Sequence, residues 1–211
     1  MVPDDFEARL RAALAARRPE RVQIDDAKDA AVLIPIIGEP RPTLIFTVRT
    51  DTLSTHKGQI SFPGGSIDAT DNSVRDAALR ETNEEIGLDP ASVRILGELD
   101  SFPTFVSGYV VSPVIGWLDA APSLQRNPAE VAEILQVPIE DLAEDIRQEP
   151  GFEHAGRTYP TEAWVWEDRV IWGVTARIIR QFLELLAEAE LVERPGPTSS
   201  WTAWPMPKAS R

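Results

Sequence analysis

Several residue types are scarce in this 211-residue chain, which contains no cysteine and only two histidines. The lack of cysteine excludes disulfides, thiolate metal sites and cysteine nucleophiles. Cationic residues are also few, with 21 Lys and Arg against 34 Asp and Glu and a net charge of −13. This balance argues against a nucleic-acid or membrane-surface partner, because both normally meet a basic surface. A small anionic substrate remains compatible, since a metal ion and a few local cations can bind it.

Long apolar runs are missing as well. No stretch approaches the roughly 18 apolar residues of a membrane-spanning helix, and the first residues lack the apolar centre of a signal peptide. A cytoplasmic location is therefore the expected default. Because 43% of residues are apolar and no linker or internal repeat interrupts the chain, we expect a single domain over residues 1–211.

A cluster of three glutamates, Glu81, Glu84 and Glu85, is the most informative feature. Helical spacing places them on or near one face, and Gly87 predicts that the helix ends just after them. Like charges at these spacings destabilise a helix by about 0.2–0.5 kcal/mol per pair, and the negative end of the helix dipole adds to this. A divalent cation would reverse both effects, and carboxylate oxygens suit Mg²⁺ or Mn²⁺. A solvated charged face is the alternative explanation.

The remaining pattern predicts a mixed sheet covered by helices, and thus an α/β fold. Short apolar runs bounded by Gly and Pro predict strands at Ala30–Ile37, Thr43–Val48, Gly58–Phe62, Val93–Leu99 and Tyr109–Leu118, with a hairpin within Gly151–Trp166. Helical periodicity predicts helices at residues 4–18, at Trp172–Ala189 and, as short segments, at Pro128–Leu135 and Ile139–Ile146. The acidic helix should be capped by Asp71 or Ser73, and residues 193–211 should form an irregular tail.

The segment Arg80–Leu88, RETNEEIGL, resembles the second half of the Nudix box, whose pattern is R-E-U-x-E-E-x-G-U with U apolar. In the first half the family pattern has Gly, five residues, Glu and seven residues before Arg-Glu. Here Gly65 is followed at that spacing by Asp71, and eight residues then precede Arg80. The chain is therefore similar to Nudix hydrolases, with an aspartate replacing the glutamate and one residue added.

Upstream, Leu44–Thr50 and Gly58–Gly65, the latter ending in FPGG, resemble the signature of the coenzyme A pyrophosphatase branch of this family. Ser54 stands where that signature has a second arginine. The likeness extends over about residues 30–190 and implies a Nudix-type α/β/α sandwich. It also implies Mg²⁺- or Mn²⁺-dependent cleavage of coenzyme A into 3′,5′-ADP and 4′-phosphopantetheine, and family habit makes a homodimer possible.

The resemblance assigns roles to the acidic helix and to the glycines before it. Glu81, Glu84 and Glu85 would hold the metal, together with a backbone carbonyl such as that of Gly65. Glu81 and Glu84 are candidates for the base that deprotonates the attacking water, and a loop carboxylate is a further alternative. Arg80 would orient acidic partners.

Substrate contacts are expected from the segment upstream of the helix. Arg49, His56 and Lys57 would meet the phosphates, and the Gly64 backbone could approach the diphosphate closely. Asp71 would support the site. Two other functions stay open: a Nudix hydrolase acting on ADP-ribose, a related nucleoside diphosphate or a (d)NTP, and a non-catalytic Nudix module that senses a nucleotide.

Overall fold

In a computed structural model, the fold is described for residues 5–50, 58–104, 107–142, 146–154 and 157–195. The four helices of the described chain are α1 (Phe6–Ala15), α2 (Val74–Ile86), α3 (Ile139–Leu142) and α4 (Val174–Glu188), with a 3₁₀ turn at Pro90–Ser92. The strands are β1 (Lys28–Ile37), β2 (Thr43–Arg49), β3 (Ile60–Ser61), β4 (Gly64–Ser66), β5 (Arg94–Glu98), β6 (Phe102–Pro103), β7 (Tyr109–Leu118), β8 (Val131–Pro138), β9 (Ile146–His154), β10 (Arg157–Trp166) and β11 (Arg169–Trp172).

The main sheet is mixed, as the sequence predicts. β1 pairs with β7 in parallel along its whole length, whereas the other pairings in this sheet are antiparallel. A second sheet has three antiparallel strands in the order β11-β10-β9. It includes the hairpin predicted within Gly151–Trp166, which β9 and β10 form.

Helices cover the main sheet on both faces. On one face α2 packs against apolar residues that include Ala31, Ile45 and Val114. On the other face α1 and α4 share a larger core with residues that include Phe46 and Ile115. Because successive side chains of a strand point to opposite faces, β2 supplies Ile45 to the first core and Phe46 to the second. The arrangement confirms the α/β sandwich.

A fork between β1 and β2 organises the middle of the sheet. The two strands pair only at Ile36↔Leu44 and Ile37↔Thr43. Beyond that point they diverge, and the segment from β3 to β4 fills the gap by pairing with β2 on one side and β1 on the other. The Pro63 carbonyl accepts from the Leu33 N–H at 2.9 Å. Gly64 and Gly65 therefore belong to a short strand, β4, which contacts α2.

One predicted element is wrong. Pro128–Leu135 is not a helix, since residues 128–130 form a turn and Val131 begins β8, which pairs with β2 along its length. The neighbouring helix is shorter than expected, because α3 ends at Leu142, residues 143–145 lie outside the described chain and Ile146 begins β9. The tail from residue 196 onward also lies outside it.

None of the helices in the described part of the chain is both long and apolar enough to cross a membrane.

Candidate active site

Helix α2 is closed at both ends by residues that its sequence supplies. Ser73 caps the start, and its Oγ accepts from the Asp76 N–H at 3.1 Å. At the other end Gly87 adopts φ 67°, and its N–H donates to the Asn83 carbonyl at 2.8 Å. The helix therefore ends at Ile86, which leaves the acidic cluster in its last turns.

The carboxylate of Glu81 lies directly against the backbone of Gly65. A methyl group built on Gly65 would lie 2.6 Å from the Glu81 carboxyl carbon, so only glycine leaves room for this contact. The next carboxylate, Glu85, is 5% exposed and accepts from the Gly64 N–H at 3.2 Å. The double glycine thus brings the chain close to two of the three predicted metal-binding acids, while the Gly64 N–H is engaged by Glu85.

Arg80 forms hydrogen bonds with three acidic side chains. Its Nε and Nη2 donate to the two carboxylate oxygens of Asp71 at 3.0 and 2.9 Å. Its Nη1 donates to Glu81 at 2.9 Å and to Glu84 at 3.3 Å, and its Nη2 also donates to the Ser66 carbonyl. These acids, with Asp71 first, raise the pKa of Arg80, while Arg80 lowers the pKa of Asp71. Asp71 therefore anchors the arginine that orders Glu81 and Glu84.

The residue added to the sequence pattern is absorbed in the turn before α2. The Asp71 N–H donates to the Asp68 carbonyl at 3.0 Å, and the Asp68 N–H donates back to the Asp71 carboxylate at 2.8 Å. This reciprocal turn directs Asp71 toward Arg80. Its side chain is only 5% exposed.

Replacing Asp71 with asparagine is expected to lower kcat by about tenfold, the size typical of residues that orient ligating carboxylates. The amide retains the shape but loses the charge that holds Arg80. The matched control is Asp68→Asn, since Asp68 is 62% exposed and lies 3.8 Å from the same guanidinium. That variant should stay within about twofold of wild type. Equal losses in both variants would contradict the anchoring role of Asp71.

Burial raises the pKa of both inner acids. For Glu85, desolvation is the main cause, the charges of Glu130 and Glu81 add to it, and the pKa rises to about 7. The Gly64 N–H and the charge of Arg49 act in the opposite direction. Desolvation likewise raises the pKa of Glu81, against the opposing effect of Arg80. Burial therefore disfavours the charged forms of Glu81 and Glu85.

Glu130, in the turn before β8, is a residue that sequence reasoning missed. Its charge acts on both Glu81 and Glu85, although it stands far from them in the chain. The Glu130 carbonyl accepts from the Thr50 N–H at 3.0 Å, which ties the turn to the end of β2. Glu130 is therefore a carboxylate in a loop whose charge acts on the acids of α2. No sequence motif indicates Glu130. The helix that the sequence predicts at residues 128–135 also stands in place of the turn that contains this residue.

Of the predicted phosphate-binding cations, Arg49 is within the described chain. It ends β2, opposite Val131, and its charge reaches Glu85. The Arg49 Nε atom is buried and has no hydrogen-bond partner among the described residues. His56, Lys57 and Ser54 lie outside the described residues.

The donor set fits a hard divalent cation. Among the residues that the structure describes, no group of three or more His, Asp and Glu side chains forms a ready-made metal cage. Mg²⁺ does not require one, because it is usually held by one or two carboxylates together with water and substrate phosphate. Glu81 and Glu85, the Gly65 carbonyl and the half-exposed Glu84 could supply such oxygens. Because burial disfavours the charged forms of Glu81 and Glu85, a cation beside them would offset that cost.

Comparison with known proteins identifies the family, because the NUDIX domain model matches residues 27–160. The chain belongs to the Nudix family. It is 40% identical to the uncharacterized Nudix hydrolase NudL of Photorhabdus laumondii over 167 residues, covering 79% of this chain and 88% of that protein. The corresponding protein of Pectobacterium atrosepticum is 36% identical over 179 residues, covering 84% of this chain and 91% of that protein.

A solved structure supports the same assignment at the level of the fold. The MutT/nudix family protein from Enterococcus faecalis matches with a TM-score of 0.56 at 13% identity, over 88% of this chain and 73% of that one. The protein is therefore a Nudix hydrolase with an α/β sandwich fold. Nudix hydrolases act on small nucleotide derivatives and generally use divalent metal ions, which agrees with the donor set around α2.

Proposed function

We propose that this Nudix hydrolase is a Mg²⁺- or Mn²⁺-dependent pyrophosphatase of coenzyme A or its acyl derivatives. The products would be 3′,5′-ADP and 4′-phosphopantetheine or its acyl form. One observation carries the proposal: the residues that resemble the coenzyme A pyrophosphatase signature lie beside the acids of the Nudix box. The end of β2 with Arg49 and the segment from Ile60 to Gly65 both adjoin the acids of α2.

The side chains around the fork would have different roles in diphosphate cleavage. A divalent cation bound there would neutralise the diphosphate and make water a better nucleophile. Glu81, Glu84 and Glu85, with the Gly65 carbonyl, would hold it. Arg80, fixed by Asp71, keeps Glu81 and Glu84 oriented before substrate arrives, which lowers the reorganisation needed for catalysis.

Three carboxylates are candidates for the base that takes the proton of the attacking water. Glu81 and Glu84 are both bound to Arg80, and Glu84 is 54% exposed. Glu130 joins them, since it lies close enough to influence both Glu81 and Glu85. A base must be within reach of the water that it deprotonates, and Glu130, whose carboxylate accepts from the Asn127 amide, would give up no contact with Arg80 in this role.

Arg49 is proposed as the phosphate contact. Its Nε–H is buried without a partner in the described chain, and a phosphate oxygen would satisfy this donor. Its charge also lies beside the acid cluster, where the diphosphate must bind. His56, Lys57 and the Gly64 backbone are proposed as further contacts to the diphosphate.

The test is a hydrolysis panel with identified products. Pure protein with Mg²⁺ or Mn²⁺ should convert coenzyme A to 3′,5′-ADP, and dephospho-coenzyme A, which lacks the 3′-phosphate, should react more slowly. Faster turnover of ADP-ribose or of a (d)NTP would replace the proposed substrate. Binding of these compounds without turnover would instead favour a nucleotide-sensing module.

A further inference from the structure

The segment of residues 125–131, which includes the turn at residues 128–130, is attached to the C-terminal end of α2. The last carbonyls of a helix have no partner within the helix and must be satisfied from outside. Here the Gln125 N–H donates to the Ile86 carbonyl at 2.9 Å, and the Asn127 N–H donates to the Glu85 carbonyl at 2.7 Å. The turn is therefore fixed to the same residue that carries the most buried acid of the site.

The same turn is attached to β2 on its other side. Thr50 donates from its N–H to the Glu130 carbonyl at 3.0 Å and from its Oγ1 to the Ala129 carbonyl at 3.2 Å. A β-bulge follows, since the pairing of β8 shifts between Val48 and Arg49 and places Val131 opposite Arg49. Bulges commonly redirect side chains next to active sites. The backbone of Glu130 is thus held between β2 and α2.

Asn127 connects this backbone to the Glu130 side chain. Its Oδ1 accepts from the Ala129 N–H at 3.1 Å, and its Nδ2 donates to Glu130 Oε1 at 3.2 Å. The two contacts demand opposite ends of the amide, so they fix its orientation. The Asn127 carbonyl also accepts from the N–H groups of Glu130 and Val131. Asn127 therefore shapes the turn and binds the carboxylate within it.

We propose that Asn127 is a positioning residue, which holds the Glu130 carboxylate toward Glu81 and Glu85 through its side-chain amide. The inference deepens the proposed function, because it assumes that the hydrolytic site uses Glu130. A carboxylate beside two other acids is repelled by them and would turn toward solvent if nothing held it. One hydrogen bond from a neutral amide to the carboxylate opposes that repulsion without adding a cation that would compete with the divalent metal ion for the acids.

A double-mutant cycle tests the inference. Asn127→Ser keeps a short oxygen that can accept from Ala129 but is too short to reach Glu130, and we expect kcat to fall about tenfold with little change in KM. Glu130→Gln should lower kcat by about a hundredfold. In the Glu130→Gln background, adding Asn127→Ser should change kcat by less than about twofold. Such non-additivity is not expected if Asn127 acts only on the fold.

Two further variants keep the test decisive. Gln125→Ala alters the same segment without touching its backbone bonds and should retain wild-type kcat. If Asn127→Ser fails to fold, Asn127→Asp preserves the Ala129 contact, replaces the donor by a second carboxylate and should lower kcat at least as much. A fall in kcat that is equal in the wild-type and Glu130→Gln backgrounds would overturn the role of Asn127. So would an unchanged kcat in both Asn127 variants.

The cycle is run on whichever diphosphate the wild-type protein hydrolyses. A protein that prefers ADP-ribose would disprove the coenzyme A proposal while leaving the Asn127–Glu130 coupling measurable. Conversely, additive losses with an intact coenzyme A activity would remove only the inference about Asn127.

Discussion

Replacing Glu85 with glutamine is expected to make the metal-free protein more stable at pH 8 and almost inactive. Glu85 is buried, and its pKa rises from 4.5 to about 7, mainly through desolvation. A carboxyl with a raised pKa in the folded state binds its proton more tightly there than in the unfolded chain. Its contribution to stability is therefore complete below pH 4.5 and is lost as the pH rises through about 7.

The size of this loss follows from the shift. At 1.36 kcal/mol per pKa unit, a rise from 4.5 to about 7 corresponds to about 3 kcal/mol of stability that wild type lacks at pH 8. Glutamine carries no charge, and its amide oxygen can still accept from the Gly64 N–H that Glu85 binds at 3.2 Å. The Glu85→Gln variant should therefore not lose this stability as the pH rises. Denaturant unfolding in EDTA should give free energies of unfolding that differ little between the two proteins near pH 4.5. Above pH 7 the difference should reach its full size.

Stabilisation by metal and catalytic activity should both decrease in Glu85→Gln, although its metal-free stability increases. A cation that binds the Glu85 carboxylate would lower its pKa, so MgCl₂ should stabilise wild type at pH 8 much more than it stabilises Glu85→Gln. We expect kcat of the variant to fall about 10²- to 10³-fold, corresponding to several kcal/mol of lost transition-state stabilisation.

Glu84→Gln is the matched control for stability. Glu84 is 54% exposed, so the difference in metal-free stability between this variant and wild type should stay small and nearly constant between pH 5 and 8, although metal-dependent activity changes. A gain at pH 5 as large as that at pH 8, or a less stable Glu85→Gln protein at pH 8, would contradict the assigned cause.

Elements with strong local signals could be predicted from the sequence. β1, β2 and β7 are rich in branched residues and became strands, and the acidic helix ends at Gly87 as its pattern indicates. β8 could not be predicted in the same way. Its residues favour helix locally and the bulge disrupts the alternation of exposed and buried positions, but pairing along the whole of β2 overrides that preference.

The site shows the same division between local and long-range information. Glu81, Glu84 and Glu85 are recognisable because a helix brings close neighbours in sequence onto one face. Asp71 replaces the expected glutamate at an offset position, and only the turn from Asp68 shows how it still reaches Arg80. Glu130 joins the site through a backbone bond between Asn127 and Glu85, which no sequence pattern encodes.

Gly65→Ala is expected to lower kcat by about 10²-fold in a protein that still folds. The new methyl group would lie 2.6 Å from the Glu81 carboxyl carbon, whereas unbonded carbons normally stay about 3.5–4.0 Å apart. Gly65 has no left-handed φ, so alanine can adopt its backbone within β4. The Glu81 carboxylate should therefore move instead, away from the position in which Arg80 and the β4 backbone hold it. Steady-state kinetics and a thermal melt measure both effects.

Two variants separate this displacement from a general effect of removing glycine. Gly108 has φ 67°, and a methyl group there would meet no atom of the described residues within 4 Å. Gly108→Ala should lower stability by about 1 kcal/mol and leave kcat unchanged. Shortening the acid by Glu81→Asp leaves room for the methyl group, so it should reduce kcat less in the Gly65→Ala protein than in wild type. If Glu81→Asp reduces kcat by the same factor in both proteins, the two residues do not act through their contact, and the loss in Gly65→Ala must come from the backbone of β4.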